Sequence, residues 1–143
     1  MSTAVPPSLV RPTLDTAFHI DYGWWDRSDR NLDVYLRSHL CQEHQEMYTD
    51  IDPKTKVDHV DLQTAEVTVL GQIEHILISH CAQQDGYLTP QTSLVNGVFR
   101  VFLANGNAPL TPEEIAQQIG RPERMILRTL SGPRVYKGIR PAH

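Results

Sequence analysis

His39, Cys41 and His44 lie close together in this chain, and His80 and Cys81 stand side by side further on. Imidazole nitrogen and thiolate sulfur are the donors that zinc accepts. Cys41 and His44, three residues apart, can share one face of a helix, so Cys41, His44, His80 and Cys81 form the candidate ligand set. The spacing argues against them. His39 and Cys41 project to different faces of one helix, and neither a Cys-x-x-Cys nor a His-x-x-x-His pair occurs. The preferred reading assigns no metal and no cofactor: Cys41 and Cys81 are small buried groups and His39 sits at the core edge. The alternative is a metal-responsive regulator, in which metal affinity is coupled to the fold and through it to a second ligand.

Asp50, Asp52, Asp58 and Asp61 flank His59, and paired carboxylates can hold a divalent ion or exchange protons. They do not follow the EF-hand pattern. The chain has no glycine-rich phosphate loop, no Gly-x-Ser-x-Gly elbow and no His-Glu-x-x-His helix, so catalysis is not expected. Trp24 and Trp25 could stack on a base or ligand ring, but in an acidic segment the pair reads as core or interface.

A third group of reactive side chains is basic. From Leu110 to Leu130 the residue types describe two short helices joined by a tight turn. Thr111 caps the first, Pro112 takes its first position and Glu114 completes a capping box. Ile115, Ala116 and Ile119 make its apolar side, and Gly120 ends it in the left-handed region. Arg121-Pro122 restarts the chain, and Ile126, Leu127 and Leu130 fall in one sector of the second helix. Arg121, Arg124, Met125 and Arg128 point away from that sector, with Thr129 at its margin. Beyond it, Val135 and Ile139 alternate with Arg134, Lys137 and Arg140, which reads as a strand or small wing able to touch a phosphate backbone.

Through Glu114-Ile115-Ala116, Ile119-Gly120, Ile126-Leu127 and Arg128-Thr129-Leu130, roughly residues 96 to 141 resemble the winged helix-turn-helix superfamily of bacterial DNA-binding regulators. The resemblance implies a recognition helix from Arg121 or Pro122 to Ser131, lying in a major groove. The residues then expected to meet double-stranded DNA are Arg121, Arg124, Met125, Arg128 and Thr129, with Arg134, Lys137 and Arg140 on phosphate.

Charge distribution points the same way. The formal net charge is −4, but residues 1–99 carry six Lys/Arg against fourteen Asp/Glu, a balance of −8, while residues 100–143 carry seven against three, a balance of +4. One module is thus suited to phosphate and the other repels it or meets a different partner. The expected function is a cytoplasmic DNA-binding protein, a transcription regulator acting as a homodimer. The alternative is an adaptor whose helix-turn-helix docks on an acidic protein. The 143 residues include 40% hydrophobic and 21% charged residues, ordinary for a globular protein. The most apolar stretch, Val98 to Ala104, is too short to span a bilayer and is broken by Arg100, so no membrane contact is expected. No secretory signal is visible, and two cysteines are too few for a disulfide framework.

These side chains need elements to hold them. The pattern predicts a mainly α fold with a small β component, in which the carboxy-terminal winged unit packs on an acidic helical part. A loose arm covers 1–17, the acidic part with a hairpin 18–92 and the winged unit 93–143. In the acidic part, Leu32, Tyr35, Leu36, His39 and Leu40 predict one helix from about Asp26 or Ser28 to Met47. Tyr48 to Lys56 is turn chemistry, and Val57, Val60, Leu62, Val67 and Val69 suggest a hairpin, with an ordered loop as the alternative. Leu70, Ile73, Ile76 and Leu77 predict a helix running to about Gln83 or Gln84. Ser93 caps a central apolar helix, with Arg100 and the turn Asn105-Gly106-Asn107 toward solvent.

Overall fold

Ser93 begins the helix around which the rest packs. Its hydroxyl oxygen accepts the Asn96 backbone N–H at 3.3 Å and so satisfies one orphan donor of the first turn. The helix spans Leu94–Ala104 and buries Val98, Phe99, Val101, Phe102 and Leu103, so it is covered on most sides. In the computed structural model, which describes residues 11–28, 31–47, 56–60, 65 and 67–142, this helix is α5. Before it come β1 (Phe18–Ile20), α1 (Tyr22–Arg27), α2 (Leu32–Ser38), α3 (Gln42–Met47), β2 (Lys56–Val60), β3 (Val67–Gly71) and α4 (Gln72–Ser79). A 3-10 turn, Cys81–Gln83, follows α4, and after α5 come α6 (Pro112–Ile119), α7 (Glu123–Leu130) and β4 (Ile139–Pro141). The fold is mainly α with a small β component, as the sequence predicts.

α6 and α7 are the two short helices joined by a tight turn that the residue types predict. The Thr111 hydroxyl accepts the Glu114 N–H at 3.3 Å while Glu114 Oε1 accepts the Thr111 N–H at 3.0 Å, the two halves of a capping box. Gly120 closes α6 at φ 69°, a left-handed position that glycine enters without a Cβ penalty. Ile115 and Ile126 are fully buried and Leu130 nearly so, each burial stabilising the unit by ~1.5–3 kcal/mol. α7 begins at Glu123, with Pro122 outside it as the capping residue.

The strand expected beyond α7 is shorter than its alternating pattern suggests. Lys137 and Gly138 both take positive φ and turn the chain, leaving only Ile139–Pro141 extended. These residues pair with β1 at the other end of the described chain, Ile20 opposite Ile139 and Phe18 opposite Pro141, where a winged hairpin would pair with its own neighbour. β1 also bonds to Leu110 on its other edge, with Phe18 N–H donating to Leu110 O at 2.8 Å. The Asn107 side chain extends that edge by accepting the Ile20 N–H at 2.7 Å and donating to the Ile20 carbonyl at 2.9 Å. Phe18, Ile20 and Ile139 thereby enter the same buried cluster as Phe99, Phe102, Ile115 and Ile126. Gly138 sits under Trp25, whose ring N–H donates to the Lys137 carbonyl at 3.1 Å. A Cβ on Gly138 would lie 2.9 Å from that ring nitrogen, so close approach and positive φ both demand glycine.

The acidic part departs from the single helix predicted over residues 26–47. Two short helices, α2 and α3, occupy that stretch among the described residues, after α1 ends at Arg27. Asn31 caps α2 by accepting the Val34 N–H at 3.1 Å. α2 then closes on tighter bonds, His39 N–H to Leu36 O and Leu40 N–H to Arg37 O. The next amide, Cys41 N–H, leaves the helical ladder and donates to Cys81 Sγ at 3.3 Å. That long-range bond, together with Gln45 Nε2 donating to Leu40 O at 2.7 Å, sets the break. The predicted hairpin is present, with β2 and β3 antiparallel from Lys56 opposite Gly71 to Val60 opposite Val67. Leu70 belongs to its second strand, so α4 starts at Gln72 and ends at Ser79. Residues 1–10 of the predicted arm, residues 48–55 of the predicted turn, Asp61 and His143 lie outside the described residues.

Candidate metal centre and candidate nucleic-acid interface

The break after α2 sets Cys41 and His44 against the end of α4, where they meet Cys81 and His80. Cys41 Sγ lies 3.0 Å from His44 Nδ1 and 3.5 Å from Cys81 Sγ, and Cys81 Sγ lies 3.7 Å from the same His44 nitrogen. The rings of His44 and His80 meet edge to face, 4.2 Å between centroids. Donor atoms of Cys41, His44 and His80 all fall within 4.8 Å of one another. α3 and the residue before it supply one pair, and the junction of α4 with the 3-10 turn supplies the other. His44 and Cys81 are buried, whereas Cys41 and His80 are partly open. Both cysteines are free thiols.

Electrostatics prepares the imidazole and resists the thiolate. Burial, then the neighbouring His80, hold His44 below the usual histidine range against the pull of Glu43, so its ring is neutral and able to ligate at neutral pH. Burial pushes the Cys81 thiol up, while the Cys41 N–H aimed at its sulfur pulls the other way by favouring the anion. A cation arriving here must therefore displace a proton from sulfur. The Glu43 carboxylate stands 3.9 Å from His80 Nε2, and the Gln84 amide 3.2 Å from it.

His39 lies apart from this cluster, at the end of α2. It is buried between Tyr35 and Phe99, stacked on the Phe99 ring at 5.3 Å. Arg100 does not face solvent as its place on α5 suggests. Its Nε donates to His39 Nδ1 at 2.9 Å and a second nitrogen donates to the Tyr87 carbonyl at 2.7 Å, because these are the acceptors within reach of a guanidinium beside the core. Burial, then the charges of Arg100 and Lys137, hold His39 down to about 4, so the ring stays neutral. Its Nε2 has no hydrogen-bond partner among the described residues. An arginine interrupting an apolar helix is the sequence signal for this contact. Of the acidic loop cluster, Asp58 is exposed on β2, while Asp50, Asp52 and Asp61 lie outside the described residues.

The basic residues divide into two groups. Arg124 and Arg128 are exposed one turn apart on α7, Met125 is 44% exposed beside them, and Arg134 is exposed past the helix with its guanidinium 5.1 Å from the centre of the Tyr136 ring. Thr129 is half-buried, its hydroxyl donating to the Met125 carbonyl at 3.0 Å. The rest are engaged within the chain. Arg121 donates to the carbonyls of Pro90 and Thr92 at 3.2 and 3.1 Å, Lys137 Nζ lies 4.7 Å above the Tyr35 ring, and Arg140 lies 3.5 Å from the Asp21 carboxylate that Arg27 also holds. The α6–α7 unit therefore presents a narrower basic face than the sequence count suggests.

The chain matches no protein-family model, and no curated protein or solved structure is significantly similar to it. No helix among the described residues is long and apolar enough to cross a membrane. The chemistry of the two sites must be read from their own geometry.

Proposed function

We propose that the protein binds double-stranded DNA through α7, as a transcription regulator of the cytoplasm. The observation that carries this reading is the pair Arg124 and Arg128, exposed on a helix whose opposite side is anchored by buried Ile126 and Leu130. Eight residues of α7 span ~12 Å, a length that fits across a major groove ~12 Å wide. Guanidinium groups one turn apart can each reach a guanine edge or a phosphate oxygen. Arg134 adds a phosphate contact beside the groove. Arg121 braces the start of α7 against the loop before α5, while Lys137 and Arg140 hold the β4 end against the Tyr35 ring and Asp21. As a homodimer, with the acidic part as the second surface, two copies of α7 would read half-sites about one helical turn, ~34 Å, apart.

Fluorescence anisotropy with labelled genomic duplexes tests the proposal. Affinity falls with salt at a log–log slope of about −0.9 per phosphate contact. Replacing Arg124 and Arg128 by alanine reduces duplex binding at least ~10-fold at physiological salt, each lost contact being worth ~1–3 kcal/mol. Equal binding by the double variant and the parent would remove α7 as the interface.

A further inference from the structure

We propose that Cys41, His44, His80 and Cys81 hold a zinc ion that fastens α3 to the end of α4. A tetrahedral zinc with Zn–S bonds of ~2.3 Å and Zn–N bonds of ~2.0 Å has ligand-to-ligand edges of about 3.3–3.8 Å. The Cys41–Cys81 and Cys81–His44 separations, 3.5 and 3.7 Å, fall in that range, and the 3.0 Å between Cys41 and His44 opens to it with a small rotation of either side chain. His80, within 4.8 Å of both Cys41 and His44, completes the set.

Three further features agree with an ion at this point. The Cys41 N–H donates to Cys81 sulfur, a bond that strengthens when the sulfur is a metal-bound thiolate. Glu43 and Gln84 stand beside His80 Nε2, where an outer hydrogen bond can fix the orientation of a ligating imidazole. The two thiols and two imidazoles also select the ion: this soft and borderline donor set suits zinc and not magnesium or calcium, which take oxygen. Four protein ligands leave no open position, so the ion is structural.

The site also answers a stability problem. Helices of six and seven residues, as α1 to α3 are, do not persist alone in water. A metal joining Cys41 and His44 to His80 and Cys81 closes a long loop that contains the β2–β3 hairpin and constrains the unfolded chain most where local helix signals are weakest. A Cys41–Cys81 disulfide would need the sulfurs to close from 3.5 Å to ~2.05 Å and would leave both imidazoles without a shared ligand.

The test is metal analysis of full-length protein purified without chelator from zinc-supplemented cells. About one zinc per chain is expected, and a mercurial reagent releases it as two thiols per chain are consumed. Exchange with cobalt(II) gives intense visible d–d bands of a tetrahedral ion and near-ultraviolet thiolate charge transfer. Replacing Cys41 and Cys81 together by serine abolishes the charge transfer, while His75→Gln, on α4 outside the cluster, leaves it unchanged. Should the serine variant fail to fold, the mercurial titration and cobalt spectrum of the parent still decide. Parent protein that retains no stoichiometric zinc, gives an octahedral cobalt spectrum, or carries an intact Cys41–Cys81 disulfide when freshly purified would overturn the proposal. None of these readings involves DNA.

Discussion

The α6–α7 unit and the α1–α3 segment are both made of short helices, yet they are held in place by different means. In α6 the terminal donors are satisfied within four residues by Thr111 and Glu114, and the exit is set by one left-handed glycine. In the α2–α3 segment the decisive contacts come from far along the chain: Cys81 sulfur takes the Cys41 amide and Arg100 takes the His39 ring. A unit built on local bonds keeps its shape when distant parts shift. One built on remote partners responds to whatever titrates, oxidises or ligates those partners.

Three perturbations sharpen that contrast. The largest effect is expected where the two ends of the described chain meet. Gly138→Ala places a Cβ 2.9 Å from Trp25 Nε1 and 3.1 Å from the Asp21 carbonyl at φ 76°, and should cost about 3–4 kcal/mol by urea denaturation. A loss under ~1 kcal/mol would mean that the Trp25 contact yields readily.

Acid should act next, and on the remotely held segment. His39 has a folded-state value of about 4 against 6.5 unfolded, so between those two pH values the unfolded chain binds a proton that the folded chain refuses. Stability present above pH 6.5 is therefore lost as pH falls toward 4, by on the order of 3 kcal/mol. Glu74, raised by burial, works in the opposite sense at the acid end. The difference between the parent and His39→Gln cancels that contribution and any loss of metal. Parallel stability curves for the two proteins over this range would show that His39 does not set the slope.

The smallest effect belongs to the locally built unit. Thr111→Ala removes the acceptor for the Glu114 amide and should cost about 1 kcal/mol, with the rest of the fold unchanged. Hydrogen exchange localises it. Deprotection confined to the first turn of α6 supports a local cap, whereas loosening of α3 and α4 as well would contradict the contrast.

The same division explains what the residues disclosed in advance. The caps of α5 and α6, the glycine turn and the buried stripe of α7 are visible in the sequence because each depends on neighbours a few positions away. The hairpin was legible as one of two readings of Val57, Val60, Val67 and Val69, the other being an ordered loop. The break at His39-Leu40-Cys41 was not, since the apolar spacing runs on through it and the bond that ends the helix comes from Cys81. With one helix assumed, Cys41 and His44 have no reason to meet His80 and Cys81, and the spacing argument weighs against a cluster that the fold brings together. Likewise, the alternation from Arg134 to Arg140 does not reveal that its partner is β1, near the start of the described chain. Arg121, Lys137 and Arg140 count as charges in a sequence, but the carbonyls, ring and carboxylate that engage them belong to other elements.

β1 lies between Leu110 on one edge and β4 on the other, so the first strand described gains its β4 partner only when nearly all the described residues have been made. During translation Phe18 and Ile20 remain unpaired while the hairpin and α5 emerge, and the sheet closes last. Such high contact order slows folding and leaves the nascent segment exposed to chaperones. A ribosome-bound chain halted before Ile139 should accordingly lack the protease resistance of the released protein.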